Sequence, residues 1–223
     1  MIAGALVVPG ALLQLPEYAG QTDPGAALRA RSAAALRDLL EVASSPRRDA
    51  LGDDGPDDGG LARVVVVAGA ERAPRHTKGA AGVRIARVLL EEAAWRGAVT
   101  EITVEVDATP VEVEHAAARV RALPGRAVLL VPADGSATRT EKAPGFYDPR
   151  AEHFDEEVRR ALAEGDIQAL AALDAVVAEE LWCTGRAAFQ VLGRCFPDGV
   201  ATAEVMWRDD PYGVEYLLAR WTR

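Results

Sequence analysis

Aromatic side chains, cysteine, histidine and surplus positive charge are all scarce in this 223-residue chain, and each scarcity removes a class of protein. Aromatic residues make up 5% against 49% for all apolar types, so the core must be assembled from Ala, Val and Leu through many small contacts. Two cysteines are too few for a disulfide-stapled scaffold. Cys183 and Cys195 are expected on one helix, where their spacing is about 18 Å at 1.5 Å per residue, beyond disulfide reach. A reducing cytoplasm is the expected compartment. The net charge is −9, but Asp49 to Gly60 alone carries five Asp and no base, and outside it 25 positive side chains face 29 negative ones. Neither the whole chain nor this remainder is basic, so it is expected to bind neither nucleic acid nor an anionic membrane. Met1 to Leu15 is apolar but has no positive leader and is interrupted by Pro9 and Gly10. It is therefore expected as a buried first strand, not a signal peptide or a membrane span.

What is present suffices for one domain over residues 1–223, since a chain of this length buries roughly 70 to 75% of its unfolded surface. Four apolar runs predict buried strands at Ile2 to Val8, Ala62 to Ala68, Glu101 to Val106 and Ala127 to Pro132. Helical periodicity at Gly25 to Ala43, Gly82 to Trp95 and Val111 to Leu123 alternates with them. Such alternation predicts an α/β fold with a mostly parallel central sheet flanked by helices. Its strand-end loops, Pro9 to Glu17, Gly69 to Gly82 and Ala133 to Asp148, then converge on one edge. Further on, helices are expected at Glu152 to Ala163, Asp166 to Leu173 and Ala175 to Arg194, the last capped by Asp174. Strands at Ala201 to Trp207 and Val214 to Trp221, joined by Arg-Asp-Asp-Pro-Tyr-Gly, predict a C-terminal β-hairpin. Ser44 to Gly60 has too few apolar groups to offset its ordering entropy and is expected as a flexible insertion. There is no internal repeat.

Three segments carry a family likeness: Val8-Pro-Gly-Ala-Leu-Leu-Gln-Leu-Pro-Glu17, then Asp134-Gly-Ser-Ala leading into Ala143-Pro144 and Tyr147-Asp-Pro-Arg150, then Cys183, Arg186 and Pro211-Tyr-Gly-Val-Glu-Tyr216. In this order they resemble the catalytic-subunit superfamily of the class III extradiol ring-cleavage dioxygenases, in particular its uncharacterised bacterial branch. The resemblance implies the architecture of that catalytic subunit, a homodimer, and Fe(II) held by two His and one carboxylate with open positions for a catecholate and O2. At the positions that match the family's ligands and acid/base histidine, this chain has Gly10, Ala68-Gly-Ala70, Ala137 and Trp182. Gly and Ala offer no side-chain donor, and Trp only an N–H, so the expectation is a fold that keeps its cleft and lacks cofactor and metal. Glu179 and Glu180 are the nearest substitutes for the carboxylate.

The expected cleft comprises Gly10, Arg72, Arg75, His76, Asp134, Ser136, Arg139 and Tyr147, and would receive a small anionic or aromatic metabolite without redox chemistry. Catalytic residues are unassigned. Two alternatives stand beside this reading: an active metal-dependent dioxygenase with relocated ligands, and a protein-interaction scaffold. His76 is either a solvated loop residue or a ligand contact. His115 shares a helix face with Val111 and Arg119. His153 and Glu156 have the i, i+3 spacing of a metal pair, against an acidic first turn favoured by the helix dipole. Nothing near Cys183 promotes its thiolate, so packing is expected. A nucleophile within Ser136-Ala-Thr-Arg-Thr140 would need Asp134 or Glu141 as its base. Gly79-Ala-Ala-Gly82 starts a helix whose N–H groups could hold an anion, but no Gly-Lys-Ser/Thr follows to make a P-loop.

Overall fold

The computed structural model describes residues 1–45, 61, 63–72 and 78–223. Along the chain run β1 (Ile2–Val8), α1 (Ala26–Ser44), β2 (Arg63–Ala70), α2 (Ala81–Glu92), β3 (Ala98–Glu105), α3 (Pro110–Arg121) and β4 (Ala127–Pro132). There follow α4 (Ala151–Glu164), α5 (Ile167–Ala171), α6 (Ala175–Glu180), α7 (Arg186–Arg194), β5 (Thr202–Asp209) and β6 (Tyr216–Thr222). The strands form one sheet in the order β3-β2-β4-β1-β6-β5. β1 to β4 are parallel neighbours; β6 lies antiparallel to β1, and β5 antiparallel to β6, which is the expected hairpin.

Four successive valines show why both faces must be covered. Side chains alternate along a strand, so Val65 and Val67 enter the cluster formed with α3, α4, α5 and α7, while Val64 and Val66 enter the one formed with α1 and α2. All four are fully buried, as is usual for central parallel strands. The steps β1 to β2 and β2 to β3 run in one direction with their helices on one face. The step β3 to β4 returns with α3 on the other, as right-handed crossovers require. Two of the scarce aromatics pair within the core: Phe196 and Trp221 meet edge to face at 5.5 Å, and Trp221 Nε1 donates to Leu162 O at 2.7 Å.

Three expectations need correction. The single helix over 175–194 is two, α6 and α7, because Trp182 adopts a φ of 56° and turns the chain. A Cβ at Gly185 would collide with the Asp134 carbonyl oxygen, so a continuous helix could not pass this close to the loop after β4. Asp174 does cap the first piece, accepting from Val176 N at 2.8 Å and Val177 N at 3.0 Å. Consequently Cys183 sits in the break and Cys195 just beyond α7, both free and buried. Finally, β3 begins at Ala98, earlier than its apolar run, because Arg63 to Val65 of β2 pair with Ala98, Val99 and Thr100 at the sheet edge. Of the expected insertion, residues 46–60 lie outside the described residues. Among the described residues no helix is long and apolar enough to cross a membrane.

Candidate functional site

Parallel strands deliver their carboxyl ends to one edge, and there the loop after β1 meets the loop after β4. Gly10 N–H donates to Asp134 Oδ1 at 2.7 Å. Beside this bond opens a cleft of about 70 Å³, whose ten lining residues include Gly10, Gly69, Gly82 and Gly185. Among the described residues, only Asp134 and Thr184 bring polar side chains to it. Neighbours crowd three of these glycines. An added Cβ would come within 2.9 Å of Ala68 Cβ at Gly82 and 3.0 Å of Thr184 O at Gly69, and would strike backbone at Gly185. The cleft thus lies where strand ends, α2 and the α6–α7 break pack closely together.

Burial pushes the Asp134 carboxyl up to about 7, and the single Gly10 N–H opposes that only in part. No cation among the described residues pairs with it. At neutral pH it can therefore hold or release a proton.

Two residues further on, the loop is clamped. Asp155 on α4 accepts from Ser136 N at 2.7 Å and from Ser136 Oγ at 2.6 Å. Arg139 Nη1 reaches the same carboxylate at 3.1 Å, and Arg139 Nε donates to Asp210 at 2.6 Å. Glu215, at the root of β6, exchanges main-chain bonds with Gly135 (2.8 Å) and Ser136 (3.0 Å). Its side chain is 1% exposed, with Arg139 Nε at 3.5 Å and Arg208 Nε at 3.3 Å. Oε1 is close enough to Arg208 for Coulomb attraction but is not aligned for a hydrogen bond. Burial consequently outweighs the two guanidiniums and pushes the Glu215 carboxyl up to about 7. Asp155 is likewise raised by burial, against the pull of its Ser136 bonds and Arg139.

Of the candidate residues, the structure brings Gly10 and Asp134 together in the cleft and places Arg72, Ser136, Arg139 and Tyr147 elsewhere. Arg72 is turned toward Asp107 and Glu112, at 3.1 and 3.2 Å. Ser136 and Arg139 are engaged in the clamp, Tyr147 is exposed, and Arg75 and His76 lie outside the described residues. Ser136 does contact a carboxylate, but that of Asp155, not Asp134 or Glu141. Cys183 packs with its Sγ 3.5 Å from Asp134 O, and burial raises its thiol far above the ordinary range. His115 is exposed on α3. His153 is exposed on α4 and faces Glu157 at 3.4 Å, while Glu156 pairs with Arg159 and Arg208. Ala81 and Gly82 place the amino end of α2 on the cleft, without a side-chain cap.

The donor set does not fit the family's iron. Gly10 and Gly69 line the cleft, whereas Ala137 and the exposed Trp182 do not. The chain has three His, and two of them stand on the outer surfaces of α3 and α4, so at most one imidazole remains where two are needed. Glu180 pairs with Arg150 at 2.7 Å on the surface and supplies no substitute carboxylate. Among the described residues no three His, Cys, Asp or Glu side chains are grouped to hold a metal ion.

Asp155 and Glu215 are the residues that the sequence did not reveal. Asp155 reads as part of an exposed acidic turn, yet it falls on the buried stripe Ala151, Phe154, Val158, Ala161 and Leu162, and that phase is the available signal. Compared with known protein families and with curated proteins, the sequence matches none.

Proposed function

We propose that this chain is a non-redox small-molecule-binding protein, a degenerate-enzyme scaffold that resembles the class III extradiol dioxygenase catalytic subunit, with its ligand seated at the carboxyl edge of the parallel strands. The observation that carries this reading is the composition of the cleft: one half-buried carboxylate, Asp134, steadied by Gly10 N–H, among glycine and small apolar residues where the resembled family has imidazoles. Such a site can accept a hydrogen bond and exchange a proton near neutral pH. It does not present the two-imidazole, one-carboxylate face that binds Fe(II) with open positions.

Anaerobic reconstitution with Fe(II), metal analysis of the desalted protein, and oxygen uptake with catechol test the reading together. Iron well below one per chain and no ring-cleavage product are expected. One iron per chain accompanied by catechol cleavage would overturn it.

A further inference from the structure

We propose that the cleft selects a small cation, the ammonium end of a primary amine, through Asp134. The inference rests on the small-molecule reading above and adds the sign of the ligand's charge.

Among the described residues, Asp134 is the one ionisable side chain lining the cleft. Its Oδ1 is occupied by Gly10 N–H, and no guanidinium or ammonium of the described residues balances its charge. Arg139 is committed to Asp155 and Asp210, and Arg72 to Asp107 and Glu112, while Arg186, next to Gly185, is buried and held by the Val106 and Ala108 carbonyls and the Gln190 side chain. One feature argues for an anion instead, the uncapped amino end of α2 at Ala81 and Gly82. A helix terminus carries about half a unit charge, and an ionised carboxylate carries a full one, so once pH exceeds the Asp134 value the balance of the cleft favours a cation. Space limits the class further. About 70 Å³ takes a group of a few heavy atoms, not a ring with its substituents. Two other titratable groups feel the charge of Asp134, Tyr216 and Cys183, and burial, the larger cause, raises both, so they remain neutral around pH 7. An ammonium bound here ionises Asp134, which lowers its carboxyl and releases a proton.

The test is a titration of the ¹⁵N-labelled full chain with methylammonium chloride and, separately, sodium acetate at matched ionic strength, following the amide signals of Gly10, Gly69 and Gly82. Saturable shifts with methylammonium are expected, with affinity falling toward about tenfold per pH unit below the Asp134 value and levelling above it. Asp134→Asn, which keeps an oxygen for Gly10 N–H, should abolish both the binding and its pH dependence. Saturable shifts with acetate alone, strengthening as pH falls, would overturn the cation assignment while leaving a small-molecule cleft in place. Shifts with neither probe would remove both.

Discussion

Replacing Glu215 by Gln should flatten a loss of stability that the wild-type protein suffers between pH 5 and pH 8. The carboxyl is 1% exposed, and burial lifts it from an ordinary 4.5 to about 7 despite Arg139 and Arg208. For an acid raised on folding, the unfolded chain gives up its proton first as pH increases. The stabilisation is whole below about 4.5 and is lost progressively up to about 7. At about 1.4 kcal/mol per unit, the span from pH 5 to pH 8 costs the wild type about 2.5 kcal/mol through this one group. Gln fills the same space and has no proton to release. Asp134 produces a loss of the same sign, but it is present in both proteins and cancels in the comparison. Urea or thermal melts at the two pH values give the double difference, and about 2.5 kcal/mol corresponds to roughly 5 to 10 °C in Tm for a chain of this size. Whatever offset Gln introduces by packing appears at both pH values. An equal offset at pH 5 and pH 8 would mean that Glu215 is ionised throughout, and the reasoning from burial would fail.

Asp155→Ala should cost about 3 to 5 kcal/mol in urea unfolding, because it strands the Ser136 N–H and hydroxyl and one arm of Arg139 in a buried site. Asp155→Asn should cost less, since its amide oxygen can still accept from Ser136; equal costs for the two would contradict the clamp. Neither thiol should react with Ellman's reagent in the native protein, and both should react in denaturant, since burial pushes Cys195 up to about 12 and Cys183 higher still. Fast stoichiometric labelling of folded protein would show that one of them is reached by solvent.

The sheet is readable in the sequence because its signal is local. β1 and β4 are uninterrupted apolar runs, one ended by Pro9 and the other followed closely by Asp134, and the expected bounds match the observed ones. The division of α6 from α7 is not readable, since it depends on the Asp134 carbonyl approaching Gly185 from 51 positions earlier in the chain. Gly10 and Asp134 can be nominated from the loops they occupy, but the bond between them exists only after β1 and β4 pair. The arginines mislead for a related reason. A sequence shows Arg72 and Arg139 as available positive charge, and only the fold shows that each is already spent on two or more carboxylates.

The run Val64 to Val67 raises a question of alignment along the strand. Interchangeable rungs would bury equal apolar area if β2 slid by one position, so hydrophobic gain alone does not say where it should stop. The stops are at its two ends. Arg63 Nη1 ties to Thr100 Oγ1 at 3.3 Å, and Gly69 admits the Thr184 carbonyl so closely that a methyl there would touch it at 3.0 Å. Bulk introduced at Gly69 would press against that carbonyl and disturb one of the two stops at the very wall of the Asp134 recess that Gly69 forms.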